Sequence, residues 1–341
     1  MKYVYVLTSS ESDFYYEQFF LSVTSLRMHN PEAFIVVLID SKTKEGLTGK
    51  RSGYNKIVSE TVTITAPNEL SQKEVSRWIK TSMKKYVADD FLYIDCDTII
   101  AGNLDIDFPA EIKIGAILDT HVPLFKHHKA QHFELEDLAL KFSSFETGFR
   151  YNGGVIFCRD TQEADEFFLR WHSLWFFSNK EGISQDMPSL NQANHELGGI
   201  ITELDGRWNC HITYNGLPFL FDAKIIHYIA TSFDFIDCPF LPASRAVLLS
   251  VKETGAILPE TLELLKNPRA AFEYRSRIVA DKAELDVVNS KIFLLLLILR
   301  KKKPRLFHSI DSFLIRLRNN PFLKTRYKRP RVESLPKDNN R

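Results

Sequence analysis

Five short runs of nearly unbroken apolar residues, YVYVL at 3–7, FIVVLI at 34–39, FLYI at 91–94, GAIL at 115–118 and GVIFC at 154–158, limit what this 341-residue chain can fold into. A strand with one wet face alternates apolar and polar residues, whereas an unbroken run suits a strand covered on both faces. The segments between these runs have helical spacing. DFYYEQFFLSVTSLRMHN places Phe19, Phe20, Val23 and Leu26 on one side, and KEVSRWIKTSMKKYV leads into the third run. TQEADEFFLRWHSLWFFSNK gathers Phe167, Phe168, Trp171, Leu174 and Trp175, and Met187 to Glu196 reads as one more helix. Strand and helix alternate, which predicts an α/β fold with a mostly parallel sheet under helices. KIVSETVTIT and AKIIHYIA read as further strands, and residues 121–150 as a long irregular stretch.

Composition adds an asymmetry. Of the 44 Lys and Arg and 43 Asp and Glu, 15 and 3 lie in residues 291–341, leaving that tail at +12 and the first 290 residues, with 29 against 40, at −11. An acidic body is a poor partner for nucleic-acid backbones and a suitable one for divalent metal. The apolar stretch Ile292 to Leu299 is far shorter than the roughly 20 residues that span a bilayer. With Arg300 to Lys303 behind it and Phe307, Phe313, Leu314 and Phe322 spaced among later charges, it is expected to lie on an anionic membrane surface. The alternatives are a tail packed on the core with solvated charges, or one that binds RNA. No secretory signal opens the chain, so the fold is expected to begin near residue 2 in the cytoplasm, peripheral to the inner face of the membrane. Four distant cysteines form no CxxC pair and are expected to be reduced thiols.

The third run ends in an unusual way, as FLYIDCDTII. If the strand continues through it, its period of two sets Tyr93, Asp95 and Asp97 on one side, at the carboxyl end where open α/β sheets bind ligands. Two carboxylates held together repel unless a cation lies between them, and Mg²⁺ or Mn²⁺ with oxygen ligands satisfies that need. From spacing alone, a solvated strand end with Asp97 capping a turn explains the pair equally well.

The surrounding pieces resemble glycosyltransferases of the GT-A fold, in particular the family 8 type, over roughly residues 1–230. YIDCDTII is similar to their D-x-D strand, which binds a metal that holds the diphosphate of a nucleotide sugar. The resemblance implies that Thr8, Ser9 and Asp13 lie near the base and ribose, that Arg77 contacts the nucleotide sugar, and that Asn152, Gly153 and Gly154 line the donor-sugar pocket. SQDMPSLNQA resembles the D-Q-x-x-L-N stretch, with Asp186 at the reacting face, Met187 where Gln is common and Gln185 as its possible substitute. KIIHYIA resembles the strand that brings His227 as third metal ligand, although the usual following Gly and Lys are absent from YIATSFDF. A lone strand histidine is otherwise a hydrogen-bonded core residue. The implied protein has a GT-A, Rossmann-like catalytic domain at 1–242, a helical extension at 243–290 and a basic amphipathic tail at 291–341. Its implied activity is transfer of a sugar, with retention, from a UDP-sugar to an acceptor, using Mn²⁺ or Mg²⁺; a tail docked on a membrane adds the expectation of a glycan or lipid-linked acceptor, as in lipopolysaccharide or capsule synthesis.

Glu146, Trp171 and Trp175 are weaker candidates, the tryptophans reading as core. His127, His128 and His132 form a cluster without metal-ligand spacing and read as solvated histidines of an acceptor loop. A haloacid-dehalogenase-type phosphatase also has D-x-D after an apolar strand. That motif usually lies near the amino terminus and reads D-x-D-x-T, whereas Thr98 follows Asp97 directly, and no late acidic pair with a preceding Lys stands out. A third alternative is an inactive membrane adaptor with the same fold.

Overall fold

A computed structural model describes residues 1–105, 107–212, 214–229, 242–269, 286–287 and 290–319. It divides into two compact units, Met1–Ser290 and Lys291–Arg341.

The first unit is built on a seven-stranded sheet. In chain order its strands are β1 (Lys2–Leu7), β2 (Phe34–Asp40), β3 (Glu60–Ile64), β4 (Phe91–Ile94), β6 (Ile114–Ala116), β7 (Val155–Cys158) and β8 (Ile201–Glu203), arranged β3-β2-β1-β4-β7-β6-β8. All pairings are parallel except those of β7 with β4 and β6. The unbroken runs arise because side chains on both faces are buried. Tyr3, Tyr5, Leu7, Ile35, Val37, Ile39, Leu92 and Ile94 enter one core, and Val4, Val6, Val36, Leu38, Phe91 and Tyr93 enter the other. Helix α1 (Tyr15–His29) contributes to the first core, and α3 (Gln72–Ser82), α5 (Gln162–Lys180) and α6 (Met187–Glu196) contribute to the second. The short α2 (Ser41–Gly46) leaves β2 directly, capped by the Asp40 side chain. The N-terminus of α3 is fixed by a capping box between Ser71 and Glu74.

The expected continuation of the third run as one strand is not found. β4 stops at Ile94, residues 95–97 turn, and Thr98–Ile100 forms β5 of a separate three-stranded sheet ordered β5-β10-β9 with β9 (Cys210–His211) and β10 (Ile225–His227). Local hydrogen bonds explain the break. The Thr98 hydroxyl donates to the Asp95 carbonyl at 2.8 Å and bonds the Ser22 hydroxyl of α1 at 2.9 Å, while the Ile100 N–H donates to Ser25 Oγ at 2.9 Å. Helix α1 thus captures the chain just past the carboxylates.

The stretch at 121–150 is also more regular than expected. Ala130–Leu140 forms helix α4, ended by Lys141 in the left-handed conformation. Only Phe133, Asp137 and Leu140 are buried along it, and Leu135 and Leu138 are exposed, so its apolar residues carry no clear helical stripe. Beyond residue 242, Arg245–Thr254 (α7) and Pro259–Lys266 (α8) contact α1, and Lys252 donates to the Asp13 carbonyl at 2.7 Å.

The second unit contains helices Lys291–Lys302 and Pro304–Asn319. Ile292, Leu295, Leu296, Leu306, Phe313 and Leu314 are exposed on them. Among the described residues no helix is long and apolar enough to cross a membrane. Phe322 and the segment TSFDF after β10 lie outside the described residues.

Candidate active site

A cavity of about 760 Å³ opens at the carboxyl ends of β1 and β4, where the chain leaves the sheet. Of the residues expected in a site, Thr8, Asp13, Arg77, Asp95, Asp97, Asn152, Gly153, Gly154, Gln185, Asp186 and His227 all line it. Ser9 does not. Its hydroxyl is turned inward, donating to Asp13 at 2.6 Å and accepting from Arg51, so it shapes the loop from below.

The break between β4 and β5 brings together residues 130 positions apart in sequence. His227 pairs with Thr98 across the small sheet, and the Tyr228 N–H donates to the Asp97 carbonyl at 3.0 Å. His227 Nε2 therefore stands 3.1 Å from Asp97 Oδ1. One ligand atom from each of Asp95, Asp97 and His227 lies within 4.8 Å of the other two. Gly154 makes room for the imidazole: a Cβ there would sit 2.4 Å from His227 Cε1. Asp95 is held by its backbone N–H on the Gly154 carbonyl at 2.8 Å, while Tyr93 and Lys80 both donate to its Oδ1.

This arrangement fits a divalent cation on a chemical ground. His227 Nδ1 faces the Asn209 side-chain amide oxygen at 2.8 Å and so carries a proton, which in the neutral imidazole leaves the Nε2 lone pair directed at the Asp97 carboxylate. Two lone pairs at that distance require a proton or a cation between them. Burial disfavours the charged imidazole, but Asp97 and Asp95 outweigh it and raise His227 above its ordinary value. The donor set of two carboxylates and one imidazole suits Mn²⁺ or Mg²⁺, the imidazole favouring the former.

A second cluster lies beside the first. Lys80, fully buried on α3, reaches Asp186 at 2.9 Å and Asp95 at 3.3 Å, and Arg77, one turn earlier, reaches Asp186 at 3.2 Å. Burial alone would raise the Asp186 carboxyl, but the two cations hold it down at about 2. Asp186 is thus a fixed anion on the cavity wall. Its loop is suspended from α5: Trp171 Nε1 donates to the Asp186 carbonyl at 3.0 Å and Trp175 Nε1 to the Ser184 carbonyl at 3.1 Å. Both indoles are buried, as their helical spacing predicts, and each orients this loop through its one polar atom. Gln185 and Met187 line the cavity on either side of Asp186.

At the other end of α3, Asp13 accepts from Ser9 Oγ, Ser10 N, Ser10 Oγ, Gln72 Nε2 and Tyr15 N at 2.6–3.0 Å. It organises the loop after β1, leaving Thr8, Ser10, Ser12 and the half-exposed Tyr15 along the wall.

The histidine cluster separates. His132 is exposed, but His127 is buried and pairs with Asp119 at 3.1 Å, contrary to the solvated loop expected from its polar neighbours. His128 stacks between His127 and Tyr214. Glu146 is exposed and does not line the cavity.

Sequence reasoning missed Lys80, Asp119 and Asn209. Lys80 was legible in principle: it follows Arg77 by three residues on α3 and sits beside Ile79 and Thr81 on the buried side. Asp119 directly follows the fourth apolar run, as Asp95 follows the third. For Asn209 the sequence holds no signal.

No family model and no curated protein sequence matches the chain. Among solved structures it is similar to the galactosyltransferase LgtC in complex with donor and acceptor sugar analogs, at 15% identity and a TM-score of 0.50 over 78% of this chain and 100% of that one. An active-site mutant of LgtC gives the same identity and TM-score over 78% of this chain and 99% of its own. The likeness is one of architecture: the chain has the GT-A glycosyltransferase fold.

Proposed function

We propose that this protein is a metal-dependent glycosyltransferase that takes a sugar from a nucleoside-diphosphate donor, UDP-sugars foremost, and passes it to a glycan or glycolipid hydroxyl. The observation that carries this reading is the convergence of Asp95, Asp97 and His227 on the cavity wall, with the Lys80–Asp186–Arg77 cluster alongside. A divalent cation held by those three ligands would neutralise the charge that builds on the departing diphosphate.

The chain's own residues do the rest. Tyr15 offers an aromatic face, and Thr8, Ser10 and Ser12 offer hydroxyls, at the end suited to a nucleoside. Gly153 lets the sugar approach the wall: a side chain there would stand close against Asp186 Oδ2, at 3.3 Å. Asp186, kept anionic by Lys80 and Arg77, would face the positive character that develops at the anomeric carbon, and Gln185, on the same wall, would bind the sugar's hydroxyls. Retention of configuration is part of the proposal by resemblance to family 8. Proton NMR of the first product formed reads it directly.

A thermal-shift screen of nucleotide sugars with and without Mn²⁺ tests the reading. A ligand at 100 times its Kd adds about 2.7 kcal/mol to stability. A UDP-sugar is expected to raise Tm strongly only when Mn²⁺ is present, and donor hydrolysis is expected to follow the same dependence. If no nucleotide sugar shifts Tm under either condition, the transferase reading is wrong; release of phosphate from sugar phosphates would favour the phosphatase.

We further propose that the basic tail docks on the anionic cytoplasmic face of a membrane, which would direct the enzyme to lipid-linked acceptors such as lipopolysaccharide or capsule precursors. Exposed Ile292, Leu295, Leu296 and Phe313 among Arg300, Lys301, Lys302 and Lys303 support it. Each basic residue near an anionic leaflet is worth about 1 kcal/mol. Co-sedimentation with anionic vesicles should weaken with added salt and disappear for a chain ending at Ser290. Undiminished binding by the shortened chain would refute the assignment.

A further inference from the structure

The proton arrangement around His227 is dictated from a distance. The Gly154 backbone N–H, which can only donate, points at Asn152 Oδ1 at 2.8 Å and so fixes which way that amide faces. Asn152 Nδ2 then donates to Asp119 Oδ1 at 2.9 Å. The Asn209 group that meets Asn152 Oδ1 at 3.1 Å must be its NH₂, which turns Asn209 Oδ1 toward His227 Nδ1 at 2.8 Å. A second backbone donor secures the far end. The Lys129 N–H points at His127 Nδ1 at 3.0 Å, so His127 donates from Nε2 to Asp119 Oδ2 at 3.1 Å.

Every member of this line is buried, from His127 through Asp119, Asn152 and Asn209 to His227. Turning one amide over would oppose acceptor to acceptor and donor to donor along it, which is costly among buried groups. Asp97 pulls the other way, since a proton on Nε2 would bond its carboxylate at 3.1 Å.

We propose that Asn209, oriented by Asn152, is a positioning residue that keeps the proton of neutral His227 on Nδ1 and so presents the Nε2 lone pair to the metal. The inference rests on the metal-site reading above and adds the mechanism that makes the imidazole a competent ligand. It also gives Asn152 a second role. Its oxygen already accepts two hydrogen bonds and its nitrogen is engaged with Asp119, so its amide serves the ligand shell, whatever else it meets in the cavity. Outer-shell partners of metal-bound histidines typically contribute 10- to 100-fold in metal affinity.

The test has two readouts. In the metal-free full-length protein, ¹⁵N-histidine NMR above the titration of His227 should show its proton on Nδ1; a proton on Nε2 would overturn the proposal without any appeal to metal. Mn²⁺ titration followed by electron paramagnetic resonance supplies the second. Asn209→Leu, which removes the acceptor, should bind Mn²⁺ about 10- to 100-fold more weakly than the wild type. Circular dichroism identifies any variant that fails to fold, and the wild-type NMR result then decides. Equal Mn²⁺ affinity in wild type and a folded Asn209→Leu would overturn the proposal while leaving the metal site intact. No Mn²⁺ binding by the wild type would overturn the metal-site reading and this proposal with it, an outcome distinct from the other two.

Discussion

Asp186 and the Asp95–Asp97 pair face the same cavity, yet their charges are balanced differently. Asp186 is closed off by protein cations, with Lys80 at 2.9 Å and Arg77 at 3.2 Å, and its carboxyl is held at about 2. Asp95 shares Lys80 with it, at 3.3 Å, and Asp97 faces the His227 imidazole at 3.1 Å. The first arrangement preserves an anion; the second is satisfied by a proton on the imidazole or by a divalent cation. A nucleotide-sugar transferase needs both, one opposite the positive character at the anomeric centre and one beside the negative charge of the leaving diphosphate.

Asp97→Asn tests the second arrangement and carries the largest expected effect. It removes an anionic ligand while nearly preserving shape, so Mn²⁺-stimulated donor hydrolysis should fall by at least ~10³-fold, in keeping with the several kcal/mol that a metal contributes as a Lewis acid. Steady-state nucleotide release measures it. Undiminished turnover would place the chemistry elsewhere.

Lys80→Met probes the link between the two. It leaves two carboxylates without a shared buried partner, and breaking such a pair typically costs about 3–5 kcal/mol of stability. Urea denaturation at neutral pH should record that loss. Gly154→Ala acts on the Asp95–Asp97–His227 side, because its new methyl group would meet the His227 ring and the Asn152 amide oxygen and displace them. Overpacking of this kind costs about 1–3 kcal/mol, and Mn²⁺ affinity should fall while the Asp186 cluster stays intact.

The acid limb of stability distinguishes the clusters most finely. Asp186 titrates at about 2 when folded against an ordinary aspartate value of 3.8, so its contribution is present above pH 3.8 and is lost as pH falls through about 2. That depression corresponds to about 2 kcal/mol. Thermal unfolding of wild type and Lys80→Met across this window should show the variant losing its stability at higher pH.

The sheet was legible because burial on both faces leaves an unmistakable mark: Val4, Val6, Tyr5 and Leu7 are all buried, and no alternation is possible. The three metal-ligand candidates were legible by resemblance, since DCD and IIH occur in the right order. What the sequence concealed is how they meet. The turn after Ile94 depends on Ser22 and Ser25 of α1 reaching across to Thr98 and Ile100, two polar residues on a helix whose register gives no hint of that purpose. Helix α4 was hidden because Leu135 and Leu138 face outward. Lys80 and Asn209 were hidden for a related reason: a buried polar residue acquires its meaning from partners distant in sequence, as Asn209 does from Asn152 and His227.

Anomalous diffraction from crystals soaked in Mn²⁺ would show whether Asp95, Asp97 and His227 hold one divalent cation. A single strong peak is expected within coordination distance of all three side chains, lost in Asp97→Asn. A peak that avoids His227, or none at saturating Mn²⁺, would contradict that expectation.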